Sequence, residues 1–292
     1  MPQFKKIDIT AAPAFLKHSA AGELSCECAF VNLLIWEDIY QNSWAEQDGL
    51  LLVKSEKNGE SIYRLPLGPD LEKGIELIRD YSGEKYPGFW TQDGKRLEEF
   101  KSLCGSDYAL TEERDAFDYV YEREALSSLS GKKYHSKRNH ISAFSKKYNW
   151  RYSPLTPENA EDLKRCADEW YAENADRADK YLLCERRGIE LMLKNLTLLG
   201  IRGGLIYVDG KAVAFTMGSQ INSDVFDIHI EKALAQYAEA YTVINREFAA
   251  NALSGYKLIN REDDMGLDGL RRAKLSYRPC VMVKKYSCEK KG

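Results

Sequence analysis

The sequence predicts an α/β (α+β) protein built as two tandem units, each a mixed, mostly antiparallel sheet flanked by helices. Three observations point there. The chain has 292 residues, about twice the common domain length of roughly 150 residues. Hydrophobic residues make up 44 % and charged residues 30 %, the balance of a globular chain that buries a core and unlike that of a disordered one. The second half reads β-α-α-β-β-β-α-β-α-β, and the first half parses in the same order. The units are expected at 1–130 and 131–292, joined by a basic helix without a low-complexity linker.

In the first unit "FKKIDIT" reads as a strand, and "AAPAFLKHS" and "ELSCECAFVNLLIWEDIY" read as helices. "GLLLVKSE", "SIYRLPLG" and a neighbour form the middle strands around a turn at Asn58-Gly59. Then come "LEKGIELIRDYS" as a helix, "GFWTQ" as a strand, "GKRLEEFKSLC" as a helix and "FDYVYER" as a strand. No residue-level repeat relates the halves, so the duplication is read from element order.

The second unit opens with "NWRYSP" as a strand and a helix with Thr156 as its cap and Pro157 in its first turn. "LLCERRGIELMLKNLTLL" is a second amphipathic helix. "GGLIYV" and "KAVAFTMGSQI" form a hairpin through Asp209-Gly210. "SDVFDIHIEKA" is a strand, "YTVINREFAANAL" a helix, "YKLIN" a strand, "LDGLRRAKLSY" a helix and "CVMVKKY" a last strand. This order resembles the GNAT acyltransferase fold.

Net charge is −3, which provides no global field for a polyanion, so any such site must be local. The seven cysteines are scattered without CxxC pairs, so neither a disulfide framework nor structural zinc is expected. No secretory start and no long apolar run is present, so the chain is expected to be cytoplasmic with no transmembrane segment.

The segment 131–151 carries seven Lys or Arg, two His and no acid. On a helix, Tyr134, Ile141, Phe144 and Tyr148 form one stripe, and Lys137 and Arg138 fall on or beside it. An inward cation needs a partner or a cleft, which makes Lys137 and Arg138 candidates for holding phosphate or carboxylate. The outer lysines read as a solvated face that steers polyanions. His135 and His140 are five apart, which misses the spacing of a helical metal pair.

In "VFDIHIEKA", Asp227, His229 and Glu231 share one strand face. His229 and Glu231 are candidate bases, Lys232 reads either as a partner that neutralises Glu231 or as a phosphate contact, and Asp227 is expected on a solvent face. Asn260 and Glu262 leave the C-terminal end of a strand, where open α/β sheets place ligands. Glu262 reads either as a base or amine-orienting group, or as an ion-pair partner of Arg261 or Arg271. Asp263 and Asp264 read as helix-capping acids; a calcium loop fails at Gly266 and Leu275. Arg271, Lys274 and Tyr277 share a helix face, either as phosphate ligands and proton donor or as a solvated face with Tyr277 packed inside.

"KRNHISAF", "IHIEKA", "NREDDMGLDGLRRAKLSYRP" and "ECAFVNLLIW" resemble the bacterial family related to the C-terminal domain of phosphatidylglycerol lysyltransferase. The basic helix is also similar to that of the Fem aminoacyltransferases. The resemblance implies tandem GNAT-like domains and transfer of an acyl or aminoacyl group from acyl-CoA or aminoacyl-tRNA to an amine or hydroxyl, with no metal. In GNAT enzymes a turn before a helix binds pyrophosphate. Here that turn maps to Gln236, with Tyr237 and Tyr241 beside it, and Glu239 stands where glycine is expected. The implied site has His229, Glu231, Glu262 and Tyr277 as catalytic groups. Its donor-binding groups are Lys137, Arg138, Lys232, Gln236, Tyr237, Tyr241, Asn260, Arg271 and Lys274. The alternative is a non-catalytic protein that binds RNA or an acidic partner through 131–151.

Overall fold

The computed structural model describes every residue except 19–22, 58 and 178. The chain begins with β1 (Lys5–Lys6), α1 (Ala12–His18), α2 (Phe30–Ile35) and α3 (Glu37–Tyr40). Strands β2 (Ser43–Gln47), β3 (Leu50–Lys57) and β4 (Glu60–Arg64) follow. Next are α4 (Leu71–Ser82), β5 (Gly88–Gln92), α5 (Lys95–Cys104) and β6 (Tyr108–Glu112). The middle of the chain holds β7 (Asp118–Glu122), α6 (Arg123–Ser128) and α7 (His135–Lys147).

The second half runs β8 (Trp150–Pro154), α8 (Ala160–Glu173), α9 (Lys180–Lys194), β9 (Arg202–Val208), β10 (Lys211–Gln220) and β11 (Val225–Ala233). It continues with α10 (Ala240–Asn251), β12 (Leu258–Asn260), α11 (Asp268–Leu275), β13 (Val281–Val283) and β14 (Lys285–Lys290). Local chemistry sets the ends. Asp70 accepts from the Lys73 amide at the start of α4, and Gly83 closes that helix with φ 72°. Thr156 and Asn159 form the capping box ahead of α8.

The two sheets have matching strand order. The first is β1-β2-β3-β4-β5-β14-β6 and the second is β8-β9-β10-β11-β12-β7-β13. In each, the strand next to last comes from outside that half: β7 precedes residue 130 yet pairs with β12 and β13, and β14 ends the chain yet pairs with β5 and β6. The expected boundary at 130 is therefore crossed by two exchanged strands. "CVMVKKY" divides at Lys284, where the chain leaves one sheet for the other. Each sheet has one parallel pair, β4 with β5 and β11 with β12, and each pair is only three residues long before the strands part.

Cores do not respect the halves either. Phe15, Phe30 and Leu34 of the first half pack in one cluster with Leu163, Ile189 and Phe215 of the second. Gly188 of α9 lies so close to α2 that a Cβ would stand 2.7 Å from Ile35 Cγ2.

Several expectations change. The first strand shrinks to β1, and β6 appears where no strand was expected. The helix expected over 23–40 breaks into a 3-10 turn (Cys26–Cys28), α2 and α3. Its backbone is captured by partners distant in sequence: the Cys26 amide donates to Asp118 Oδ2 at 2.8 Å, and Asn260 Nδ2 donates to Leu24 O at 2.7 Å. Gly59 has the positive φ of a tight turn, 83°; its expected turn partner Asn58 lies outside the described residues. Asp209 and Gly210 are both left-handed, as a two-residue hairpin demands.

Lys285 is buried where the exchanged strands cross. Its Nζ lies 2.8 Å from Asp118 Oδ1, 3.5 Å from Glu27 Oε1 and 3.2 Å from Cys26 Sγ. Burial pulls the Lys285 ammonium down, but Asp118, Cys26 and Glu27 together hold it well above its ordinary value. Removing one partner of a buried pair costs about 3–5 kcal/mol. Asp118→Ala should therefore lose stability on that scale in urea, in one transition common to probes on both sheets.

Candidate functional site

The end of the first parallel pair and the turn that follows the second line one cavity of about 430 Å³. Arg64 and Trp90 are the last paired residues of β4 and β5, and Asp227 and Asn260 those of β11 and β12. A volume of that size suits a small ligand or the end of a larger one. The 3-10 turn bridges the two forks. Glu27 accepts from Arg64 Nη1 at 2.7 Å and from Trp90 Nε1 at 2.8 Å. Burial pushes Glu27 up, but Arg64, Lys285 and Trp90 outweigh it and hold its carboxyl below the usual range. Trp36, Tyr40 and Tyr181 form an aromatic wall.

Glu262 brings a carboxylate to this cavity. It follows β12 in a left-handed backbone, φ 57°, a conformation that a glutamate keeps only when its surroundings impose it. Those restraints are visible. The Glu262 amide donates to Asn260 Oδ1 at 2.6 Å, the Tyr119 amide donates to Glu262 O at 3.2 Å, and buried Lys274 donates to the carbonyls of Arg261 and Asp263. The Glu262 carboxylate is then fixed by His229 Nδ1 at 2.9 Å and Asn32 Nδ2 at 3.0 Å. His229 Nε2 in turn meets Ser219 Oγ at 2.8 Å. Gly218 permits that contact: it sits at a bulge opposite β11, where a Cβ would stand 2.0 Å from Asp227 O. Next to Glu262, burial pushes the Asp263 carboxyl up to about 6.

Asp227 is not on a solvent face. Its side chain is wholly buried because the polar face of β11 turns toward the first half. Burial, then Glu262 and Asp118, push its carboxyl well above the usual range.

The other expected site residues divide into groups. Glu231 pairs with Arg261 at 2.7 Å and accepts from Asn245 Nδ2 at 3.1 Å, where β11 and β12 part. Tyr277 is buried there, its hydroxyl toward Thr242 and its ring between Lys137 at 3.9 Å and Arg261 at 4.9 Å from the centroid. Burial and then Arg261 push Lys137 down to about 8. None of Glu231, Tyr277 and Lys137 lines the cavity.

Arg138 donates to the carbonyls of Leu129 and Gly131 and so closes the end of α6. Lys232 pairs with Glu185 at 2.9 Å over the Trp170 ring. Gln236 is exposed, Tyr237 packs at a tilt against Tyr148 with ring centroids 5.0 Å apart, and Tyr241 is half-buried. Arg271 joins Asp264 and Asp115, and Asp264 also binds Tyr119 and Arg114 rather than capping α11. Asn260 fastens Leu24 and Asp118.

Sequence reasoning thus placed His229, Asn260 and Glu262 together but passed over Asn32, Asp118, Asp227 and Lys285. "ECAFVNLLIW" contained the one usable signal, an asparagine in an otherwise apolar run.

A family model described as phosphatidylglycerol lysyltransferase, C-terminal, matches residues 21–289. The chain belongs to this family. A crystal structure of a conserved protein of unknown function from Bacteroides thetaiotaomicron VPI-5482 is 34 % identical, with all of both chains covered and a TM-score of 0.91. L-PGS from Bacillus licheniformis shares the fold at 15 % identity, covering 99 % of this chain and 93 % of that one, with a TM-score of 0.66. A curated protein of Mycoplasmoides gallisepticum is 25 % identical over 170 residues, 58 % of this chain; the chain spans about half, 54 %, of that relative's length. The family is described by a lysyltransferase, and the pair of seven-stranded sheets is the fold this chain shares with L-PGS. Among the described residues, no helix is long and apolar enough to cross a membrane.

Lys137 supplies a pH test. Its folded value, about 8, lies below its ordinary 10.5, so the unfolded chain binds more protons between those limits and stability rises with pH there. Relative to Lys137→Met, the wild type should be at its greatest disadvantage below pH 8 and should recover as pH approaches 10.5, measured by paired urea melts.

Proposed function

We propose that the chain transfers an aminoacyl group from charged tRNA to an amine or hydroxyl held in the cavity between the sheets. The observation that carries this reading is the Glu262 carboxylate, strained into place at the cavity by the NREDDMG block that the family resemblance also singled out. It can accept a hydrogen bond from the acceptor N–H or O–H and take that proton as the heteroatom bonds to the donor's carbonyl carbon; the ester bond to the tRNA's terminal ribose then breaks, and the proton passes from Glu262 to the departing ribose oxygen. His229 and Asn32 position it, and Ser219 orients His229. Holding the two reactants in one small volume supplies much of the rate gain in such chemistry.

Charged tRNA is favoured over acyl-CoA by a specific contact. The Ala235 amide, in the turn where pyrophosphate would bind, already donates to Glu173 Oε2 at 2.9 Å, and Glu239 stands at the N-cap position of α10 without a side-chain cap hydrogen bond. Two carboxylates at that helix start oppose a pyrophosphate. Lys132, Lys133, Lys146 and Lys147 are exposed along the basic segment and suit a phosphate backbone.

Glu262→Gln keeps the shape and removes the proton acceptor. Aminoacyl transfer from charged tRNA should fall by about 10²–10⁴-fold while tRNA affinity, read by filter binding, stays unchanged. Charged tRNA should raise the melting temperature and acetyl-CoA should not. A shift with acetyl-CoA alone would reassign the donor. Salt-sensitive tRNA binding without turnover by the wild type would make the chain an RNA-binding protein instead.

A further inference from the structure

Asp227 is an anomaly that the transfer reading leaves unused. Its side chain is fully buried, and neither carboxylate oxygen has a hydrogen-bond partner among the described residues. A buried carboxylate without donors is costly and calls for a proton or a cation. Its surroundings favour a cation. Asp227 Oδ2 lies 3.4 Å from His229 Nδ1, which lies 2.9 Å from Glu262 Oε1, and the ligand atoms of all three residues fall within 4.8 Å of one another.

Two ligands bonded to one ion at about 2.0–2.2 Å stand about 2.9–3.5 Å apart, from octahedral to tetrahedral geometry. Both measured separations from Nδ1 lie in that range. Ser219 Oγ, 2.8 Å from Nε2, turns the ring so that Nδ1 faces the two carboxylates, the outer partner that a metal-bound imidazole uses. Two carboxylates and a neutral imidazole complement a divalent charge. The nearby cations are committed elsewhere: Lys285 to Asp118 at 2.8 Å, and Lys274 to the Arg261 and Asp263 carbonyls.

We propose that Asp227, His229 and Glu262 bind one divalent transition-metal cation, Zn²⁺ or Mn²⁺, beside the cavity, with its open position reached past Glu262. The site goes beyond the transfer reading and does not depend on it. Without the ion, Glu262 and His229 remain paired as described; with it, the ion offers a cavity oxygen or nitrogen a point of attachment.

Chelator-stripped wild-type protein titrated with ZnCl₂ and with MnCl₂ by calorimetry, with bound metal counted by elemental analysis, tests this. One equivalent of at least one ion should bind and raise the melting temperature. Asp227→Asn should melt no lower than the stripped wild type and bind about a hundredfold more weakly. His229→Gln should behave alike, which keeps the test open should one variant fail to fold. Absence of saturable binding of either ion by the wild type overturns the proposal. So does unchanged stoichiometry and affinity in both variants, the mark of binding at exposed groups such as Cys280. These readings concern binding alone and stay separate from any failure of aminoacyl transfer.

Discussion

The buried pair between Lys285 and Asp118 is the interaction on which the remaining architecture rests. Each residue opens one of the exchanged strands, Lys285 for β14 and Asp118 for β7, so the pair joins the two crossovers at the point where they pass. An ammonium removed from water is unfavourable unless its partners are close and well placed. Here Asp118 and the adjacent pair Cys26 and Glu27 supply them from two separate segments. Neither half completes that charge balance by itself, and the shared cluster of Phe30, Leu34 and Phe215 couples them further through apolar burial.

The cavity follows from this exchange. With β14 inserted beside β5 and β7 beside β12, the two short parallel pairs open toward each other. The 3-10 turn at Cys26–Cys28 closes the gap between them by donating to Asp118 and accepting from Arg64 and Trp90. Open α/β sheets place ligands beyond the carboxyl ends of parallel strands. In this chain the end of the first pair lines the volume directly, and the second pair reaches it through Glu262 and Asp263 just beyond β12.

Charge in the 261–274 segment is mostly fastening. Arg271 and Arg114 neutralise buried Asp264, and Lys274 holds two carbonyls of the turn. Their combined effect is to keep Glu262 in a left-handed conformation that its side chain disfavours. Strain held in this way keeps the carboxylate oriented before any ligand arrives, and the cost is distributed over contacts remote from the chemistry.

Much of the fold was legible locally. The alternation in "VFDIHIEKA", the Asp209-Gly210 turn, the cap at Thr156 and the apolar stripe of α7 each act within a few residues, so short-range pattern was enough to locate them. His229 stood out on the polar face of its strand, and Asn260 and Glu262 stood out where a strand's C-terminal end is expected to meet a ligand. What the sequence by itself determined was therefore most of the element order and the family, while of the candidate site it offered His229, Asn260 and Glu262 among other residues. The tertiary structure alone decided that β7 and β14 change sheets, that Asp227 is buried, and that Asn32, Asp118 and Lys285 stand beside residues far away in the chain. Those outcomes depend on long-range pairing and on desolvation of charges, and neither leaves a periodic trace in a single sequence.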